Sequence, residues 1–142
     1  PPSTPSSTSS PPAPAPTRRP PAVVHWAQPM PCLFCEIVAG RVPARVVHAD
    51  DQLVAFHDIR PQAPTHVLVV PRRHITSLLD LSPEDDGLVG ALARQARDIA
   101  RDMGFDQNGF RLVMNCGDDA GYSVYHIHLH LLGGRQLGWP PG

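Results

Sequence analysis

The stretch Ser123-Val124-Tyr125-His126-Ile127-His128-Leu129-His130-Leu131-Leu132-Gly133-Gly134 sets three histidines in strict alternation with three aliphatic residues. Alternation is the period of a β-strand, whose successive side chains point to opposite faces. Ile127, Leu129 and Leu131 are expected to face a core. His126, His128 and His130 are expected to line the opposite face at a spacing of roughly 6.5 Å. Tyr, Ile and Leu suit a strand, and Gly133-Gly134 ends it. A solvated strand face accounts for one or two histidines. Three of the chain's eight at a single spacing point instead to a row of imidazoles, able to act as nucleophile, acid/base or metal ligand near neutral pH.

Further motifs flank this stretch in a fixed order: Ala55-Phe56-His57-Asp58-Ile59, Pro61-Gln62-Ala63-Pro64-Thr65-His66, Val70-Pro71-Arg72-Arg73-His74, and the ending Gly133-Gly134-Arg135-Gln136-Leu137-Gly138-Trp139-Pro140-Pro141-Gly142. Together with the alternating histidines they resemble the histidine triad (HIT) family, in particular its branch of histidine triad nucleotide-binding proteins. The resemblance covers about residues 31–142 and places a HIT domain there.

That part is long enough for one domain with one core. A net charge of −1 and a pI of about 6.8 give no general attraction to nucleic acid or to a membrane surface. No apolar run approaches the length of a bilayer span. Three cysteines are too few for a disulfide framework; the Cys32-x-x-Cys35 pair and the lone Cys116 suggest a reducing, cytoplasmic setting and metal or redox chemistry. Residues 1–22 are nearly all Pro, Ser, Thr and Ala with Arg18 and Arg19, and no acid precedes Glu36. Such a segment cannot bury enough apolar surface to offset its chain entropy, so residues 1–29 read as a disordered extension. A natural tail, a transit peptide and sequence upstream of a start at Met30 all fit, the last best. Val23, Val24, His25 and Trp26 could dock locally.

Residues 33–39 predict a short helix with Phe34, Ile37 and Val38 inward and Gly40 at its end. Strands are expected at 45–49 and 53–57, around the Asp50-Asp51 turn, and at 66–70, closed by Pro71. Ser82-Pro83-Glu84-Asp85 starts a long helix: Ser caps, Pro takes the first position and acids fill the first turn. Leu88, Leu92, Gln95/Ala96, Ile99 and Met103 mark its inner face, and Gly104 its end. Strands follow at 110–115 and 125–132. The class is α+β, a five-stranded antiparallel sheet in meander-like order with one long and one short helix.

The resemblance implies purine nucleoside phosphoramidase or nucleotidyl hydrolase activity at the α-phosphorus, through a nucleotidyl-histidine intermediate, releasing a nucleoside monophosphate. It makes His128 the nucleophile, with His130 on the phosphoryl oxygens and His66 completing the polar set. Asp58 matches the acceptor of the ribose hydroxyls, a task suited to a carboxylate; alone it would read as a turn former. Asn115 and Ser123 match phosphate and leaving-group contacts, and Phe34, Ile37 and Ile59 the walls around the purine, although pattern alone makes all three core. Two thiolates from one turn leave two positions of a tetrahedral Zn²⁺ open, and the resemblance fills them with His74 and His126. That closed, structural Cys32/Cys35/His74/His126 set stands beside two alternatives, a redox pair or unligated thiols. The family also implies a homodimer whose two sheets join into one of ten strands.

Tyr122 stands where the family usually has glutamine near the phosphate or leaving group, which puts leaving-group recognition in question. Cys116 reads as a buried inert thiol. Two other functions compete: a nucleotide-binding regulatory module with vestigial hydrolysis, and a metalloenzyme with His126, His128 and His130 on one ion. The second is disfavoured because alternating positions span roughly 13 Å.

Overall fold

Pro71 decides where the histidine-bearing strand begins. In the computed structural model, which describes residues 2–5, 8–15 and 32–142, five strands form one antiparallel sheet. They are β1 (Val46–Ala49), β2 (Leu53–His57), β3 (Thr65–Pro71), β4 (Phe110–Val113) and β5 (Leu129–Gly133). β5 pairs with β3 in a register that joins His66 to Leu132 and Val69 to Leu129. Two residues further the same register would set Ile127 opposite Pro71, which has no N–H to give the ladder. The chain therefore leaves the sheet: Ile127 N–H donates to Ile75 O at 2.8 Å, and His126 Nε2 meets Pro71 O at 2.7 Å. The expected strand over 125–132 is thus shortened to Leu129–Gly133, and only His130 of the three histidines sits on it. β4 stops at Val113, opposite His130, because β5 offers no ladder partner beyond Leu129.

The order across the sheet is β1-β2-β3-β5-β4. It departs from the expected meander at one step. The chain leaves β3 through a long helix, enters β4 at the edge, and returns to place β5 between β3 and β4. That helix, α2 (Asp86–Asp102), follows a 3₁₀ turn at Pro83–Asp85. Ser82 and Asp85 cap the turn reciprocally, and the buried Asp85 pairs with Arg73. Gly104, at φ +83°, ends the helix in the left-handed conformation that glycine adopts without strain.

Side-chain alternation divides the sheet into two faces. Leu53, Ala55, Val67, Val69, Leu129 and Leu131 pack against Leu92, Ala96 and Ile99 of α2, with Ile127 and Phe105 closing the core. Gly133 is required there, since a Cβ would lie 2.5 Å from the Phe105 ring. Met103, expected inward, is 38% exposed. Val54, Phe56, Leu68 and Val70 point to the other face, which is covered by α1 (Leu33–Val38) through Phe34, with Ile37 and Val38 partly buried beside it. β2 and β3 are therefore buried on both sides, and their near-continuous apolar sequence follows from that.

Residues 2–5 and 8–15 are exposed and have no regular structure. Val23, Val24, His25 and Trp26, and most of the extension read as disordered, lie outside the described residues. No helix among the described residues is long and apolar enough to cross a membrane.

Candidate active site and metal centre

His66, Leu68 and Val70 alternate onto the face of β3 that carries α1, and the register brings His130 of β5 beside them. His128 lies one residue before β5, 8% exposed. Phe34 of α1 meets its imidazole edge-on, with centroids 4.9 Å apart at 88°. His128 Nδ1 lies 2.7 Å from the carbonyl oxygen of His126. A carbonyl only accepts, so Nδ1 carries the proton and Nε2 holds the free lone pair. Burial pushes the pKa of His128 down, against the opposing pull of the His126 carbonyl. The ring is thus a neutral imidazole with a fixed tautomer.

A second chain of bonds fixes His130. The backbone N–H of Gln62 donates to His66 Nδ1 at 3.0 Å, which leaves the His66 proton on Nε2. His66 Nε2 lies 2.8 Å from His130 Nδ1 and 3.5 Å from a carboxylate oxygen of Asp58. His130 Nδ1 is therefore an acceptor, and its own proton sits on Nε2. That Nε2 is buried and has no partner among the described residues. A buried donor left unpaired costs about 1–3 kcal/mol, so its position calls for an incoming acceptor. Burial first, then the neighbouring His128 and His66, push the pKa of His130 down to about 4. Asp58, His66 and His130 are close enough to share an ion. The proton that Gln62 forces onto His66 Nε2 occupies the lone pair a metal would need, and the cluster reads as a hydrogen-bond relay.

Asp58 Oδ1 accepts from Arg60 N–H at 2.8 Å, and Arg135 donates to Gln62 O at 2.8 Å, tying the C-terminal segment to the loop that orients His66. Asn115 is half-buried after β4 and Ser123 is exposed in the loop before His126. Of the three expected apolar walls, Phe34 is buried under His128, Ile37 is half-buried, and Ile59 is 92% exposed. Cys116, expected buried, is half-buried. Tyr122 is buried with its ring stacked on His128.

The metal-ligand candidates converge on the other side of His126. Its Nε2 meets Pro71 O, so Nε2 carries the proton and Nδ1 presents the lone pair. That Nδ1 lies 3.4 Å from Cys32 Sγ, 3.5 Å from Cys35 Sγ and 3.2 Å from His74 Nδ1, while Cys35 Sγ lies 3.3 Å from His74 Nδ1. Tetrahedral zinc sets neighbouring S and N ligands about 3.6 Å apart and two N ligands about 3.3 Å apart, given its usual bond lengths. The Cys₂His₂ donor set fits that ion in chemistry and in spacing. The redox alternative leaves the convergence of His74 and His126 on the two thiols unexplained. His126 turns to this cluster, His128 to a backbone carbonyl and His130 to His66, so the three do not share one ion.

The family resemblance implied that a backbone carbonyl holds the second ring nitrogen of His128, but sequence reasoning did not identify that carbonyl as His126's, nor the Gln62 N–H and the Pro71 carbonyl that set His66 and His126. Backbone groups are the same at every position and leave no signal in a sequence.

The HIT domain family model matches residues 39–137. A protein of Brassica juncea described as a 14 kDa zinc-binding protein is 43% identical over 112 residues, covering 78% of this chain and 98% of its own. Among solved structures, a HIT family hydrolase from Legionella pneumophila Philadelphia 1 is 50% identical with a TM-score of 0.77, covering 78% of this chain and 99% of its own. A Zn-bound histidine triad family protein from Mycobacterium smegmatis is 34% identical with a TM-score of 0.66, covering 80% of this chain and 81% of its own.

Proposed function

The chain belongs to the HIT domain family, and from that premise we propose that it is a nucleotide hydrolase with a structural zinc ion, cleaving purine nucleoside phosphoramidates or related nucleotidyl compounds at the α-phosphorus. One observation carries the reading: the His128 ring, with its Nε2 lone pair, lies against the ring of His130, whose Nε2–H has no partner among the described residues. A nucleophile and a donor for a phosphoryl oxygen are the two groups that attack at phosphorus needs most.

In this reading the Nε2 lone pair of His128 forms a bond to phosphorus as the bond to the leaving group breaks. The amine departs with the bonding electrons and takes up a proton from solvent, a transfer this reading gives to Ser123. The nucleotidyl-imidazolium keeps its Nδ1 proton on the His126 carbonyl, which spreads the positive charge. Water then adds to phosphorus, the P–N bond to His128 breaks, and the water's proton is lost as the nucleoside monophosphate leaves. His130 donates to a phosphoryl oxygen throughout, held by His66. Asp58 takes the ribose hydroxyls, Asn115 a phosphate oxygen, and Phe34, Ile37 and Ile59 flank the base. Zinc on Cys32, Cys35, His74 and His126 joins the turn before α1 to the chain entering β5 and supplies no chemistry to the reaction. The protein is proposed to act as a homodimer, since among the described residues the outer edge of β4 has no partner strand and such an edge is open to pairing.

The test uses an adenosine 5′-phosphoramidate. Quenched turnover should leave a nucleotidyl adduct mapped to His128. His128→Ala should lower kcat/KM by about 10³-fold or more while product affinity stays within about threefold. Activity within tenfold of the parent, or an adduct on another residue, sinks the assignment.

A further inference from the structure

His128 precedes the first residue of β5, so no strand ladder holds its backbone. The segment Ile75-Thr76 takes over this task. Ile75 O accepts from Ile127 N–H at 2.8 Å, and Thr76 O accepts from the Tyr122 hydroxyl at 2.6 Å. These two bonds bracket the loop that contains His126, whose carbonyl orients His128. Tyr122 is 6% exposed. Its ring lies nearly parallel to the His128 imidazole, at 18° with centroids 5.7 Å apart, and Tyr125 meets it edge-on at 5.4 Å.

We propose that Tyr122 is a positioning residue for His128: its hydroxyl anchors the ring to Thr76, and the ring fixes the plane in which Nε2 faces the phosphorus. The proposal rests on the reading of His128 as nucleophile. The bond from Nδ1 to the His126 carbonyl fixes the tautomer but leaves the imidazole free to swing about that bond. An offset aromatic stack restrains the swing, and such contacts contribute through geometry as well as area. The stack has a second consequence. Attack turns His128 into an imidazolium, and an aromatic face attracts a cation more than a neutral ring. The contact therefore strengthens as the reaction proceeds, which is the condition for lowering a barrier rather than only binding substrate. The hydroxyl hydrogen is committed to Thr76 O, so Tyr122 does not donate to the leaving group as an amide there could.

Three full-length, zinc-loaded proteins separate the possibilities: parent, Tyr122→Phe and Tyr122→Leu. Phenylalanine keeps the stacked face and loses the anchor; leucine loses both. The expected kcat on an adenosine phosphoramidate falls by about threefold or less for Tyr122→Phe and by roughly 30-fold or more for Tyr122→Leu, with KM within about threefold in both. The carbon-bound protons of the His128 ring should show an upfield ring-current shift in the parent and Tyr122→Phe that Tyr122→Leu lacks. Equal kcat in the phenylalanine and leucine proteins overturns the proposal, as does a change confined to KM, which would make Tyr122 a substrate contact. If the leucine protein melts early, Tyr122→Met supplies the same comparison without a ring. His128→Ala assayed alongside keeps the two readings apart. If it stays active, the nucleophile assignment fails. If it is dead while Tyr122→Leu turns over normally, only the role of Tyr122 fails.

Discussion

Three of the site histidines, His126, His128 and His66, are assigned their protons by backbone groups, and His130 takes its own from His66. A carbonyl oxygen requires a donor, so His126 carries hydrogen on Nε2 and His128 on Nδ1; an N–H requires an acceptor, so His66 carries hydrogen on Nε2. The three rings differ in role because their neighbours differ. His130 gives the pH prediction. Its folded pKa of about 4 lies below the ordinary histidine value of 6.5, because the charged form is desolvated and faces His128 and His66. Between those values the unfolded chain binds the proton and the folded chain does not. The contribution to stability is complete above pH 6.5 and is lost as pH falls toward 4. Urea unfolding at pH 7 and pH 4.5 should show the parent losing on the order of 2 kcal/mol more than His130→Gln over that range. Equal losses in the two proteins would mean that His130 is not buried as a neutral ring. The residue identities in this set, His66, His128 and His130, were legible in the sequence through the family resemblance. Their tautomers were not, since these depend on which backbone atom each ring reaches.

α1 has six residues, far short of the length at which a helix holds itself in water. Two anchors keep it in place: Phe34 packs on Phe56 with centroids 5.5 Å apart, and Cys32 and Cys35 meet His74 and His126. Zinc held by this donor set would fasten the element that covers the site. The purified protein is expected to carry about one zinc per chain. Cys32→Ser should lose the zinc and about 2 kcal/mol of stability, a fall in Tm of roughly 8 °C or more. Elemental analysis with a melting curve checks both, and an unchanged Tm in a zinc-free variant would show that α1 is held by Phe34 alone. Element positions were legible wherever the signal is local: β2 matches its expected span, and Ser82-Pro83 opens the long helix as read. Strand ends were not, because β5 and β4 stop where their partner strands stop offering ladder groups.

On the scale of the whole molecule, α2 covers one face of the sheet and α1 with the site occupies the other. Residues 2–5 and 8–15 are exposed and the matched family region starts at residue 39. A chain shortened to begin at Met30 is therefore expected to keep its Tm to within about 1 kcal/mol of stability, its kcat/KM, and its sedimentation as a dimer. A larger loss would place Val23, Val24 or Trp26 in a contact with the domain. A monomer at micromolar concentration in both proteins would refute pairing through the β4 edge.

The sequence by itself determined the family, the α+β class and the inward set Ile127, Leu129 and Leu131, and it named the histidines that the fold brings together, because periodicity and motif spacing are properties of the chain order. Tertiary structure alone decided that β5 enters between β3 and β4, that Pro71 releases His126 and His128 from the sheet, and that Tyr122 lies against His128. These outcomes depend on pairing between residues far apart in the chain. A proline's missing N–H acts on the strand opposite it, and nothing in the local sequence records which strand that will be.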